Sequence, residues 1–66
     1  MEFVVKISFY SDSWIFFAKS RFEEMAKEKA FEMFKQNHPD ECLFDTLEEA
    51  LKDNNFLIEV KGTVIC

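Results

Sequence analysis

The 66-residue sequence contains one glycine, one proline, one histidine and two cysteines. With so few chain-breaking residues there is no flexible linker, and residues 1–66 read as one domain near the small end of what folds unaided. The shortage of histidine and cysteine also removes most chemistry. His38, Cys42 and Cys66 with Asp40 or Glu41 can be drawn as a metal site, but one His and no C-x-x-C pair do not make the usual zinc set. A Cys42–His38 nucleophile pair lacks a third orienting residue and an oxyanion site. The adjacent carboxylates Glu23-Glu24, Asp40-Glu41 and Glu48-Glu49 do not face one another on a helix, so they are poor acid–base pairs. The chain therefore reads as not an enzyme, with no catalytic residue, metal or cofactor. It has no long uncharged apolar run and opens Met-Glu without a basic leader, so the expectation is a cytoplasmic protein with no membrane partner. Cys42 and Cys66 are then reduced thiols, with a disulfide between them as the alternative.

What is plentiful is aromatic and acidic. Nine of the residues are Phe, with one Trp and one Tyr. Aromatics supply large buried area per residue, which helps a small core. A core this small does not hide all of them, and the remainder points to a partner or to self-association.

The sequence is organised around one periodic stretch, Ser20–His38. Ser20 and Glu23 have capping-box spacing, and Glu23 and Glu24 suit the positive end of a helix dipole. Phe22, Met25, Ala26, Ala30 and Met33 share a helical face and are the expected core stripe. Phe31 falls nearly opposite Phe22, with Phe34 between the two faces. Either both are exposed and form an aromatic anchor, or Phe34 packs on the Cys42-Leu43-Phe44 link or a second helix and only Phe31 is exposed. His38-Pro39 ends the run.

On the N-terminal side, Phe3–Tyr10 alternates: Phe3, Val5, Ile7 and Phe9 on one face, Val4, Lys6, Ser8 and Tyr10 on the other. Ser11-Asp12-Ser13 is a turn, and Trp14–Lys19 a second strand. Without glycine the turn is expected to hold three or more residues. Beyond an irregular link over Pro39–Asp45, Thr46 and Glu49 form a second capping box opening a short helix over Leu47–Asn54. Leu47, Ala50 and Leu51 are its apolar side, and Asn54-Asn55 a left-handed stop. Phe56–Val60 is a third strand, with a bulge or bend at Gly62 before Thr63–Cys66 continues it. The fold class is α+β in the order β-β-α-α-β, a three-stranded sheet with one face covered by the long helix and a short second helix beside it. If the helices run up and back, the last strand lies parallel to the first, and the strand order is 2-1-3.

Charge is local. Asp40, Glu41, Asp45, Glu48, Glu49 and Asp53 face one base, Lys52, so residues 40–53 carry net −5, which is the charge of the whole chain. This segment is either a solvated helix face or a contact surface for a basic partner. In the second reading Asp40, Glu41, Asp45, Glu48, Glu49 and Asp53, with Phe31 and Phe34, bind the partner. The carboxylates could also stand where phosphates would in a nucleic-acid groove. Direct contact with nucleic acid is disfavoured by the same charge. The alternatives are a homodimeric assembly module, joined through spare apolar surface or an edge strand, and a small RNA-binding protein.

Met1-Glu2-Phe3-Val4-Val5-Lys6, the aromatic stretch Trp14–Lys19 and Glu59-Val60 near Cys66 resemble the Dmd antitoxin family of T-even phages, the "discriminator of mRNA degradation". The likeness spans about a third of the chain and leaves the middle, including Asn37–Asp45, without a counterpart. It implies a small phage inhibitor that binds and blocks a host defence protein of nuclease type; that this host protein has a basic surface is the expectation from the acidic segment. No functional residue is carried over from it.

Overall fold

A computed structural model describes residues 1–64. The chain forms β1 (Glu2–Phe9), β2 (Asp12–Lys19), α1 (Glu23–Asn37), α2 (Leu47–Leu51) and β3 (Phe56–Val64), and the sheet order is β2-β1-β3. This is the expected α+β arrangement, with β1 at the centre.

The alternation in β1 decides the layering. Phe3, Val5, Ile7 and Phe9 are all buried, whereas Val4, Lys6 and Ser8 are half-buried on the other face. Phe16 and Ala18 of β2 and Phe56 and Ile58 of β3 join the first set, and α1 covers it. Among the described residues no helix covers the opposite sheet face, where Ile15, Phe17 and Leu57 are exposed.

Helix α1 turns a different side to the sheet from the one its sequence suggested. Its buried residues are Ala26, Ala30, Phe31 and Phe34. Phe31 is 1% exposed and Phe34 0%, while Phe22 is 62% exposed and Met25 lies largely in solvent. The stripe is rotated by roughly a quarter turn, at about 100° per residue. The cause is at the N-terminus. Phe22 has extended backbone and is the N-cap, so it precedes the helix and does not set its phase. The Ser20–Glu23 capping box does not form. The Ser20 hydroxyl instead accepts from the Phe22 N–H at 3.3 Å and donates to the Phe22 carbonyl at 3.0 Å. Alanines at 26 and 30 are small enough to let the helix sit close on the sheet, and the two phenylalanines fill the space beyond them. Phe34 lies against Trp14 (ring centroids 4.7 Å) and Phe16 (6.3 Å), and Phe31 against Phe56 (6.1 Å).

Strand β3 runs antiparallel to β1, not parallel. Helix α1 carries the chain from the Lys19 end of the sheet to the Phe9 end, where the ring of His38 meets Trp14. Helix α2 has only five residues. At about 1.5 Å per residue it advances less than 10 Å, far short of a strand's length. The chain therefore enters β3 at the end where β1 finishes. The expected irregularity at Gly62 is present: Val5 pairs with Val60 but Val4 with Gly62, so Lys61 is the extra residue of a bulge. The last two residues of the expected third strand, Ile65 and Cys66, lie outside the described residues, and so does any Cys42–Cys66 bond.

The N-terminal hairpin is tighter than expected. Phe9 pairs with Asp12, leaving a two-residue turn of Tyr10 and Ser11. Helix α2 is also shorter, Leu47–Leu51, with Leu47 and Ala50 buried and Leu51 exposed. Asn54 and Asn55 are not left-handed. The chain instead turns through an Asp53 carboxylate that accepts from the Asn55 N–H at 2.8 Å.

Because Phe34 is enclosed, Phe34→Ala is expected to lower stability by about 3–5 kcal/mol. Phe22→Ala and Met25→Ala should stay within about 0.5 kcal/mol. Urea midpoints at constant m-value check this, and comparable losses at Phe22 and Phe34 would overturn the assignment of the buried face.

Candidate functional site

The acidic segment is confined to one end of the molecule. Helix α1 ends there at Asn37, the His38 carbonyl accepts from the N–H groups of Glu41 and Cys42 (both 3.0 Å), and the chain turns at once. Phe44 then anchors the link, packing edge-on against Phe9 (5.4 Å) and Phe56 (5.6 Å). The Lys35 ammonium donates to the Asp45 carbonyl at 2.7 Å. The Thr46 hydroxyl caps α2 by accepting from the Glu49 N–H at 3.2 Å, as its spacing with Glu49 suggested.

These anchors leave the carboxylates outward. Asp40, Glu41, Asp45, Glu48 and Glu49 are exposed, and Asp53 is half-buried at the turn it stabilises. Among the described residues the single ion pair is Lys61–Glu59 at 3.4 Å, and it lies on β3 outside the segment. Among the described residues none of the segment's carboxylates is in an ion pair, the Lys35 ammonium reaching the Asp45 carbonyl and not a carboxylate. Asp12, at the start of β2, adds a further carboxylate to the same end.

Phe31 and Phe34 are not part of this surface. Both are core residues, because the phase of α1 turns them to the sheet. The exposed apolar side chains at this end are instead Tyr10, Leu43 and Leu51. Tyr10 is the least ordinary of them. It is 70% exposed at the hairpin tip with φ at 57°, the one non-glycine residue of positive φ among the described residues. Positive φ at the first central position is what a II′ turn demands, and glycine usually fills it. Tyr10 is held there by two contacts. Its N–H donates to the Asn55 carbonyl at 3.2 Å, and its ring meets Phe9 edge-on at 4.6 Å. The hairpin tip is thus tied to the turn that follows α2. The sequence did carry a signal for Tyr10, since alternation places it on the face away from the core. Leu43 and Leu51 carried none.

His38 sits half-buried beside Trp14 (5.5 Å), Phe34 (5.9 Å) and Phe16 (6.4 Å). The Cys42 thiol donates to the Phe44 carbonyl at 3.4 Å. Among the described residues no three His, Cys, Asp or Glu side chains gather as a metal site. No helix among them is long and apolar enough to cross a membrane.

No family model, no curated protein and no solved structure matches the chain.

The backbone at Tyr10 sets an order among substitutions. Tyr10→Val should be less stable than Tyr10→Gly by about 1–2 kcal/mol, because a β-branched residue tolerates positive φ worst. Thermal unfolding of the two variants measures the difference. Equal stability would mean that the turn relaxes to ordinary backbone.

Proposed function

We propose that this protein is a non-enzymatic binding protein whose acidic end docks on the basic surface of another protein. The observation that carries the reading is the set Asp40, Glu41, Asp45, Glu48 and Glu49, all exposed, with no ion pair and on one end. A surface of one sign speeds encounter with the opposite sign and rejects its own. Tyr10, Leu43 and Leu51 supply apolar contact within the same end, the role first expected of Phe31 and Phe34. Interfaces draw much of their energy from such desolvated side chains, tyrosine among them.

Charge supports one partner class. A protein that handles nucleic acid carries a basic groove, and carboxylates can occupy places meant for phosphates. The narrower form of the reading is an antitoxin-like inhibitor that blocks a host nuclease in the cytoplasm. It rests on the resemblance of the strands to the Dmd antitoxins and on the same charge argument.

Immobilised protein should retain such a partner from bacterial lysate at about 50 mM salt and release it near 500 mM, because exposed charge pairs are screened. The Glu48→Lys/Glu49→Lys variant should fold normally by circular dichroism and lose about tenfold or more in affinity for the retained protein. Affinity unchanged by both salt and charge reversal sinks the reading.

A further inference from the structure

We propose that the edge of β2 is a self-association surface, along which two copies of the chain pair their β2 strands antiparallel and join their sheets into one.

In the order β2-β1-β3, both outer strands present an edge. Natural sheets interrupt such edges with bulges, charges or proline, since a straight unpaired row of N–H and C=O groups invites another strand. Strand β3 is interrupted in this way: the bulge at Lys61 breaks its register, and Glu59 and Lys61 place charge on it. Strand β2 is not. Its register with β1 is unbroken from Glu2↔Lys19 to Phe9↔Asp12. Between Asp12 and Lys19 it reads Ser-Trp-Ile-Phe-Phe-Ala, without charge, proline or glycine.

The edge is also unoccupied. Among the described residues the backbone of Ser13–Ala18 hydrogen-bonds to nothing but β1, while the Lys29 ammonium takes the carbonyl of Lys19 at the strand's end. Helix α1 packs over β2, and the open groove between them is lined by Phe17, Ala18 and Met33 with the charged Lys19, Glu28, Lys29 and Glu32 around them. Ile15 is 52% and Phe17 55% exposed.

A second copy is the occupant that the strand itself describes. Antiparallel pairing about a two-fold axis at Phe16 sets Ile15 opposite Phe17 of the other copy on the open sheet face. It sets Trp14 opposite Ala18 on the helix face, large against small. Aromatic and β-branched residues directly opposite one another are favourable pairs. Slipping by one residue would turn Ile15 and Phe17 towards the other copy's helix side. Charge selects direction as well, because Asp12 begins the strand and Lys19 ends it. Antiparallel pairing brings each acid to the basic end of the other copy, and parallel pairing would bring acid to acid.

Sedimentation velocity on the full chain from about 1 to 100 µM should show a reversible monomer–dimer equilibrium. Ile15→Lys and Phe17→Lys are at exposed positions and should fold. Each should weaken the dimer at least about tenfold, with Leu57→Lys, on the same open face but on β3, leaving it unchanged. In the unmodified protein, amide exchange at Ser13–Ala18 should slow as concentration rises, which decides the matter even if a lysine variant does not fold. A monomer throughout this range, assembly beyond the dimer, or a dimer lost with Leu57→Lys but kept with Ile15→Lys and Phe17→Lys overturns the proposal. The inference is independent of the acidic end: Glu48→Lys/Glu49→Lys should leave the dimer intact.

Discussion

The contact of Phe34 with Trp14 and Phe16 is the constraint on which the rest of the structure depends. It closes α1 onto the outer strand of the sheet at the end where β1 finishes. A domain of this size has few large side chains to bury, so the position of one helix settles most of its core. Ala26 and Ala30 are compatible with close packing of the helix, but it is Phe34 and Phe31 that give it a unique seat. Once they are inside, Phe22 and Met25 must lie outside, and the chain must leave the helix at His38, beside Trp14.

That exit point makes a local feature of the sequence into a local feature of the surface. The segment after His38 is anchored by Phe44 between Phe9 and Phe56, and α2 is too short to leave that end of the molecule. Six carboxylates close in sequence therefore stay close in space. Concentrated charge of one sign opposes compaction through self-repulsion. Here the opposition is met by apolar anchors and by backbone bonds at the turns, not by lysines or arginines paired to the acids. An end held by apolar contacts keeps its carboxylates free to meet another molecule.

The parts of this arrangement that were legible in the sequence are those governed by short-range rules. Alternation in Phe3–Phe9 identified the buried face of β1, Gly62 marked the bulge, Thr46 capped α2, and the acids were read from their spacing. The side of α1 facing the sheet was not legible, because Phe22, Met25, Phe31, Met33 and Phe34 surround the helix with apolar side chains and leave its phase open. Extending the helix back to Ser20 then chose the wrong phase, and with it exposed the wrong phenylalanines. The direction of β3 depended on the length of α2, which was read as eight residues and is five. The two-residue hairpin went unread because Tyr10 occupies a backbone conformation usually reserved for glycine. Its support comes from Asn55 and Phe9, and only Phe9 is near in sequence.

The uncharged edge of β2 and the acidic end are arranged so that neither compromises the other. The acids gather where β2 begins, and the strand then runs eight residues away from them. At about 3.3 Å per residue Phe16 lies about 13 Å along the strand from Asp12, more than one Debye length at physiological salt. The proposed strand pairing about Phe16 would thus be screened from much of the negative charge. The antiparallel sense would also send the two acidic ends to opposite ends of the joined sheet, away from one another and open to solvent. A parallel pair would instead set Asp12 beside Asp12, a small unfavourable term between exposed charges. The charge distribution behind the proposed basic partner thus also favours the antiparallel sense in the proposed pairing of two copies.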